Sequence, residues 1–231
     1  MPVLDAAHAA ATWRPQAFGD RRANTIDDPL VEPLWTGPRL LALVDGDTVR
    51  LTDVEGAAIH GHDDVRRELL AGTSGATVVL EAALTPDPLQ APEDLAAREI
   101  VRMPNAGRAM TQMVMGDRGD RKDRLADRVD EVRRRAAAPI LEAALVAVDL
   151  LWLDDETLLD VPLLERKRLL ESVVTESRLV RIGTYVRPPI DAWLGAWRAF
   201  GFTRMSYKAA NSRYRPGETN PDWAHAEIPR R

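Results

Sequence analysis

Hydrophobic and polar positions between residues 31 and 85 alternate in short runs that predict β-strands. The stretch "RLLALVDGDTVRLTDVEG" places two strand-like runs on either side of Asp45-Gly46, and an Asp-Gly pair between such runs is a strong signal for a β-hairpin. A third run, "ATVVLEAALT" at residues 76–85, is short and apolar, which is typical of a buried strand. A proline-rich loop, "PDPLQAPEDL", is predicted to follow it.

Three later segments have the spacing of amphipathic helices. Apolar residues recur on one stripe of residues 120–138, with Asp and Arg on the rest of the surface. Residues 162–174, "PLLERKRLLESVV", begin with a proline, which suits a first helical turn. A third helix is predicted to begin near Pro189 and to end near Gly201. Its expected inward face consists of Ile190, Trp193, Leu194 and Trp197.

Two further strands complete the pattern. "LVAVDLLWL", within residues 145–153, has the length and composition of a buried strand, and "GFTRMSYK" at residues 201–208 is predicted to be the last one. Residues 1–30 show little periodicity and are predicted to be an irregular lead-in to a single domain at residues 31–231. Because hairpins and helices are mixed without strict alternation, the pattern favours an α+β fold.

Composition narrows the classes of function. The 231 residues allow one large domain, and a formal net charge of -5 means that any nucleic-acid binding requires a local basic patch. The chain has no cysteine, which excludes disulfides, thiolate catalysis and cysteine-bound zinc. We find neither a secretory segment nor a membrane span, so we expect a cytoplasmic protein. His60 and His62 precede two aspartates without a third group of ligands, and we predict no metal site.

The stretch "NSRYRPGETNPDWAHAE" at residues 211–227 is a candidate surface for phosphate groups. Arg213 and Arg215 flank a tyrosine, and Lys208 precedes them on the last predicted strand. These cations would contact a nucleotide or the phosphates of nucleic acid. In the alternative, the Pro-Gly pair sets a structural turn whose arginines pair with Glu218 or Asp222.

The aromatic residues of the same stretch favour packing over ligand binding. We predict that Tyr214 and Trp223 fasten the turn to a sheet, each with its polar end at the surface.

Two separated blocks of this sequence resemble ATP-dependent DNA ligases, particularly the bacterial end-joining type. These blocks are "VDLLWLDDETLLDVPLLERKRLLESVV" at residues 148–174 and "SRYRPGETNPDW" at residues 212–223. The order and the gap also resemble that family. The resemblance implies a DNA ligase-like nucleotidyltransferase fold, in which two antiparallel sheets with flanking helices surround an ATP groove.

The family's nucleophile is the lysine of Lys-x-Asp-Gly-x-Arg, and this chain has "LWTGPR" at residues 34–39 in its place. The resemblance therefore puts Leu34 at the lysine position and Thr36 at the aspartate position, with Arg39 retained. A hydrocarbon cannot attack the α-phosphate of ATP, and an arginine cannot replace a lysine because guanidinium stays protonated. The first lysine of the chain is Lys122.

Other family positions have also lost their charged groups. The family uses a glutamate for the ribose, another for the catalytic metal, and two lysines for the triphosphate. The resemblance aligns these positions with Ala83, Thr203, His225 and Glu227. Glu81 lies two residues before Ala83 on the same strand face, Val148 takes the place of the aromatic residue that stacks on adenine, and Lys208 is retained.

The resemblance to ligases, together with the loss of these charged groups, predicts a pseudoenzyme. Our first hypothesis is a non-catalytic adaptor or nucleic-acid-associated subunit in DNA repair, with a protein partner, nucleic acid or both. The alternatives are an active ligase or nucleotidyltransferase with an unorthodox nucleophile, which would need ATP and Mg²⁺, and a noncovalent nucleotide sensor that uses Arg39 and Lys208. An OB-fold domain follows the last motif in the family, and we expect none here because only residues 228–231 remain.

Overall fold

The computed structural model of the chain describes residues 5–85, 130 and 143–229. Residues Met1–Pro88 and Ala143–Arg231 form one compact unit, and Leu89–Glu142 form a second one. The helices and strands named below all belong to the first unit. The predicted helix at residues 120–138, apart from Asp130, and the predicted proline-rich loop lie outside the described residues.

The described residues of the first unit form eleven strands, four α-helices and one 3₁₀ helix at Ala23–Thr25. The strands are β1 (Ala17–Phe18), β2 (Pro29–Pro33), β3 (Arg39–Asp45), β4 (Thr48–Asp53), β5 (Val78–Thr85), β6 (Ala144–Leu153), β7 (Glu156–Thr157), β8 (Val180–Ile182), β9 (Arg204–Ala209), β10 (Thr219–Asn220) and β11 (Trp223–Glu227). The helices are α1 (Ala6–Thr12), α2 (Asp63–Gly72), α3 (Leu163–Val173) and α4 (Asp191–Ala199).

A six-stranded sheet forms the larger layer. Its order is β4-β3-β5-β6-β7, and β8 pairs with β6. The pairs along this order are antiparallel, whereas β8 runs parallel to β6. The predicted hairpin is present as β3 and β4, whose turn contains Gly46 with a φ of 54°. That left-handed conformation explains the glycine after Asp45, since a side chain would be strained there.

A three-stranded antiparallel sheet of order β11-β9-β2 forms the smaller layer. Together with the larger sheet and the helices it confirms the predicted α+β fold with two mainly antiparallel sheets. The short strands β1 and β10 add a two-stranded parallel sheet. They tie the beginning of the described chain to the turn at residues 211–218.

One hydrophobic cluster joins α1 to the large sheet. Ala9 of α1 is completely buried, and it clusters with Leu41 of β3 and Trp223 of β11. The helix begins at the N-cap residue Asp5, whose carboxylate accepts a hydrogen bond of 2.7 Å from the His8 N–H. Residues 1–30 were expected to be irregular, and this helix corrects the expectation. The small alanine side chains let the backbone of α1 lie close to the sheet. They give no strong apolar periodicity, so the sequence did not predict this helix.

A second cluster lies between α4 and the small sheet, and Trp197, Phe202 and Met205 belong to it. The predicted inward face of α4 is wrong for Trp193, which keeps 44% of its surface exposed. The predicted end of the helix is confirmed, because Gly201 follows the C-cap with a φ of 85°. A helix that buries one tryptophan and exposes another leaves part of its aromatic surface at the protein exterior.

Within residues 5–85 and 143–229, no helix has both the length and the apolar composition needed to cross a membrane.

Trp223, which is completely buried, and Trp193, which is exposed, provide a test of the packing. We expect Trp223→Ala to lower the free energy of unfolding by about 3–5 kcal/mol, because Trp223 is completely buried. Trp193→Ala is the matched control and should change it by no more than about 0.5 kcal/mol. Urea denaturation followed by circular dichroism measures both. Equal losses for the two variants would contradict the packing described here.

Candidate functional site

The loop between β2 and β3 contains the positions that align with the ligase nucleophile motif. Leu34 is partly buried, and its N–H donates to the Arg204 carbonyl at 2.9 Å. Thr36 is exposed, with its hydroxyl 3.3 Å from that of Thr85. Gly37 has a φ of 100°, and a Cβ atom there would lie 2.0 Å from the Leu84 carbonyl oxygen. This contact requires glycine for the shape of the loop, independently of any catalysis.

Arg39 and Glu81 form the first of three buried charge clusters. The Arg39 guanidinium binds Glu81 Oε1 at 2.6 Å, and the Tyr214 hydroxyl donates to Glu81 Oε2 at 2.6 Å. Burial alone would raise the pKa of Glu81, but Arg39, Lys208 and the Tyr214 hydrogen bond together bring it below its usual value. Both carboxylate oxygens of Glu81 therefore have internal partners.

Glu32 is the centre of the second cluster. Lys208 Nζ donates to Glu32 Oε2 at 2.7 Å, and Lys167 Nζ forms an ion pair with Glu32 Oε1. All three side chains are at most 5% exposed. The Lys208 ammonium also lies 4.3 Å from the centre of the Trp223 ring, within the range of a cation–π contact. Lys208, which is predicted to contact phosphate, lies between a carboxylate and an indole.

The pKa values in this cluster reflect burial and charge. Burial favours the neutral form of Glu32, but the two ammonium groups outweigh it and lower the pKa of that carboxyl. Burial is the largest effect on Lys167 and lowers the pKa of its amine, and the positive charge of Lys208 adds to the effect. One carboxylate thus balances two amines, and burial disfavours the charged form of Lys167.

Asp149 and Arg166 form the third cluster. Two hydrogen bonds join them, from Arg166 Nε to Oδ1 at 2.9 Å and from Nη2 to Oδ2 at 2.8 Å, and both side chains are completely buried. Arg166 Nη1 also donates to the Ser212 carbonyl at 3.2 Å. The pair therefore links β6, α3 and the turn at residues 211–218. These are the segments that carry the resemblance to ligases, so part of the shared pattern has a structural role.

The turn itself exposes Arg213 and Arg215 to solvent. Its backbone is held from inside, since Asn220 donates to the Arg213 carbonyl at 2.8 Å and the Arg215 N–H donates to Gln16 Oε1 at 2.7 Å. Within residues 5–85 and 143–229, neither guanidinium forms an ion pair, and Asp222 lies 3.5 Å from Arg21 instead. The alternative pairing with Glu218 or Asp222 is not formed.

Tyr214 and Trp223 pack as predicted, but their polar ends are buried, which corrects the expectation of surface exposure. The Tyr214 hydroxyl lies on Glu81, and Trp223 Nε1 donates to the Ser212 hydroxyl at 3.0 Å. Burial raises the pKa of the Tyr214 hydroxyl well above its usual value. Both rings are therefore structural parts of the charge clusters.

Three other positions that the resemblance aligns with family motifs lie at one edge of the small sheet. His225 and Glu227 are exposed on β11, opposite Ser206 and Arg204 of β9. Burial, followed by the nearby Arg204 charge, lowers the pKa of His225, which favours its neutral form. Thr203 is exposed, and its carbonyl accepts the Ile228 N–H at 2.8 Å. None of these side chains supplies a cation at this edge.

The described residues do not fit magnesium-bound ATP. Within residues 5–85 and 143–229, no group of three or more His, Asp or Glu side chains is placed to hold a metal ion. Arg39 and Lys208, the two cations retained from the family motifs, are bound to carboxylates.

Sequence reasoning missed Glu32 and Lys167, which complete the second cluster. Lys167 had a usable signal: it is one of three lysines in the chain and lies in an amphipathic helix. Residues two apart on a helix do not share a face, so Lys167 points away from the exposed Glu165, and the structure buries it. Glu32 had no such signal, because a glutamate between a valine and a proline shows no pattern that distinguishes it.

Comparisons with solved structures identify the fold. The ligase domain of LigD from M. tuberculosis superposes with a TM-score of 0.61 at 20% identity, covering 94% of this chain and 60% of that one. A mycobacterial DNA ligase D complexed with ATP and MES gives a TM-score of 0.60 at 19% identity, covering 92% and 59%. Lig E, a DNA ligase described as binding DNA with a minimal scaffold, gives 0.52 at 9% identity, covering 93% and 68%.

The fold is therefore that of DNA ligase-like nucleotidyltransferases, as the sequence resemblance implied. The chain spans about 60% of the length of the two mycobacterial structures. No protein-family model matches the sequence, and a comparison with curated proteins finds no match.

The Glu32 cluster gives a prediction about stability. Glu32→Gln leaves two buried ammonium groups without a counter-charge, and we expect it to cost about 3–5 kcal/mol in the free energy of unfolding. Lys167→Met should change stability by no more than about 1 kcal/mol, because it leaves one balanced pair and removes a desolvated charge. Denaturant titrations of both variants measure the difference. A larger loss for Lys167→Met than for Glu32→Gln would show that this charge balance is wrong.

Proposed function

We propose that this chain is a non-catalytic, DNA ligase-like domain that serves as an adaptor or nucleic-acid-associated subunit in DNA repair. One observation carries the proposal: the cations retained near the expected nucleotide site are bound to buried carboxylates. Lys208 is held by Glu32, and Arg39 is held by Glu81. A nucleotide would have to compete with these internal partners for every cation that the resemblance assigns to it.

The competition is energetically unfavourable. Moving Lys208 onto a phosphate would leave Glu32 with Lys167 alone and would open the contact with Trp223. The hydrogen bond of 2.7 Å between Lys208 Nζ and Glu32 Oε2 would also be lost. Covalent adenylation also needs an amine that reaches the α-phosphate, and Leu34 offers none. Both arguments support an ancestral catalytic site that has become part of the core.

The exposed turn supports contact with nucleic acid. Arg213 and Arg215 lie on a backbone fixed by Asn220 and Gln16, so their guanidinium groups project from a rigid base. Guanidinium suits phosphate because it donates several hydrogen bonds from one plane. Phosphate contacts of this kind position a protein on nucleic acid without reading its sequence.

One alternative is an active nucleotidyltransferase, and Lys167 is the observation that favours it. Its pKa is lowered by burial, a property that activates lysine nucleophiles. However, its side chain is only 1% exposed and is paired with Glu32, so it does not reach a bound phosphate without rearrangement. The other alternative, a noncovalent sensor, needs Arg39 and Lys208 to be available, and both are paired.

The lack of catalysis is testable with radiolabelled ATP. We expect no acid-labile AMP on the purified protein in Mg²⁺ or Mn²⁺, because Lys167 and Lys208, the two lysines within the described residues, are both paired with Glu32. Gel electrophoresis after incubation detects the adduct, and an active DNA ligase is the positive control. Labelling that disappears in Lys167→Met would establish the first alternative and overturn the proposal.

Association with nucleic acid is testable through its salt dependence. Each phosphate contact contributes about -0.9 to the log–log slope of affinity against salt on duplex DNA. Replacing both Arg213 and Arg215 by Gln should therefore make the slope less steep by about 1.8. Arg67→Gln, an arginine of α2 that is 71% exposed, is the control and should leave the slope unchanged. The absence of binding at low salt, or equal slopes for all variants, would contradict the assignment.

A further inference from the structure

An apolar cavity of about 220 Å³ lies between α4 and the loop that follows β2. Five aromatic rings line it: Trp35, Trp193, Trp197, Phe200 and Phe202. A cavity with this many rings is unusual in a chain that has only twelve aromatic residues of the Phe, Trp and Tyr types. This aromatic lining suits the binding of a flat ring.

The cavity has a rigid floor and an exposed mouth. Trp35 and Phe202 meet edge to face with ring centres 4.8 Å apart, and Trp197 is buried. Trp193 and Phe200 lie at the mouth with 44% and 37% of their surfaces exposed. Only Val54 is a comparably exposed large apolar residue within residues 5–85 and 143–229. The exposed aromatic surface is thus concentrated at this one cavity.

The aromatic cavity lies on the opposite face of the small sheet from the Glu32 cluster. Side chains alternate between the two faces of a strand, so Pro33 and Met205 lie on the opposite face of the small sheet from Glu32 and Lys208. Pro33 lines the cavity, and Met205 belongs to the cluster beneath α4. Glu32 and Lys208 instead face Trp223 and the large sheet. The small sheet therefore separates the cavity from the Glu32 cluster, whereas Arg204 and Glu227, at the ends of β9 and β11, share the face of Lys208.

A charged cleft adjoins the aromatic cavity. Phe202 lines both, and the cleft also contains Arg198, Arg204 and Glu227. Arg198 donates to the Pro229 carbonyl at 2.9 Å, and among the described residues neither arginine forms an ion pair. Glu227 is the Cα partner of Arg204 across the strands, so the cleft has two positive charges and one negative charge. Its net charge favours an anion.

We propose that the cavity and the cleft together bind one nucleotide unit of single-stranded nucleic acid, with the base in the cavity and its phosphate at Arg198 and Arg204. Aromatic side chains stack on bases of any sequence, and nearby cations follow the phosphate backbone. An apolar protein segment would fill the cavity equally well, but it would leave the adjoining guanidinium groups without an anion. The proposal rests on the nucleic-acid association proposed above, and it adds the strand type and a second contact surface.

The stacking is tested with Trp193 variants and a fluorescent oligothymidylate at low salt. Trp193→Ala should weaken binding about 5-fold or more, because it removes a stacking surface at the mouth. Trp193→Phe should retain most of the affinity, since it keeps a ring. Val54→Ala is the matched control, as Val54 is 43% exposed and does not line the cavity. Thermal unfolding of each variant verifies that it is folded.

The charges are tested with the same oligonucleotide. Arg204→Gln should weaken binding and reduce the salt slope by about 0.7, the contribution of one phosphate on a single strand. Glu227→Gln should strengthen binding because it removes the negative charge from the cleft. Opposite effects from neighbouring positions on paired strands are not expected from a general loss of stability.

The outcomes separate this inference from the proposed function. If duplex DNA still depends on Arg213 and Arg215 while oligothymidylate binds equally to wild type and Trp193→Ala, the single-strand site is wrong and the broader function stands. A leucine-rich peptide that quenches Trp193 fluorescence when the oligonucleotide does not would assign the cavity to a protein partner and would also overturn the inference. Absence of duplex binding by the wild type, with Trp193-dependent single-strand binding retained, would contradict only the role of the turn.

Discussion

The described structure depends on one constraint: every carboxylate that the fold buries must be matched by a cation from a distant part of the chain. Glu32 on β2 is matched by Lys167 of α3 and Lys208 of β9. Arg39 and Glu81 join neighbouring strands of the large sheet and bind Tyr214 from the turn at residues 211–218. Because an unmatched buried charge costs several kcal/mol, these contacts fix the relative positions of the elements that contribute them.

The same constraint limits chemistry. A catalytic cation must be free to follow a charge that develops on the substrate, whereas a structural cation is held by a partner that is always present. Arg39 and Lys208 have the second arrangement. Side chains at the surface are not held by internal charge partners in this way. The functional proposals therefore rest on the exposed Arg213 and Arg215 and on the aromatic cavity beside α4.

Local patterns predicted much of the fold. The Asp45-Gly46 turn, the buried strand β6 and the helix after Pro162 follow from side-chain period and turn chemistry, which act within a few residues. Helix α1 was missed because a run of alanines has no polar face to mark its period. Trp193 was misplaced because helical spacing alone does not say how wide the buried stripe is.

The candidate site was less predictable for a different reason. The predicted losses at Leu34 and Ala83 rest on the resemblance alone, since the absence of a charge is visible in the sequence. The partners of Lys208 were not visible, because Glu32 lies 176 residues away in the chain and no local pattern connects them. Long-range charge pairs depend on the assembled fold, and only the structure brings them together.

The most direct test of the central claim is heteronuclear NMR of the lysine ammonium groups. The chain has three lysines, so single Lys→Met variants assign their signals. Our account predicts that the Nζ protons of Lys167 and Lys208 exchange slowly with water and that their chemical shifts do not change in saturating ATP and Mg²⁺. A shift of the Lys208 signal on adding the nucleotide, with loss of its slow exchange, would contradict it.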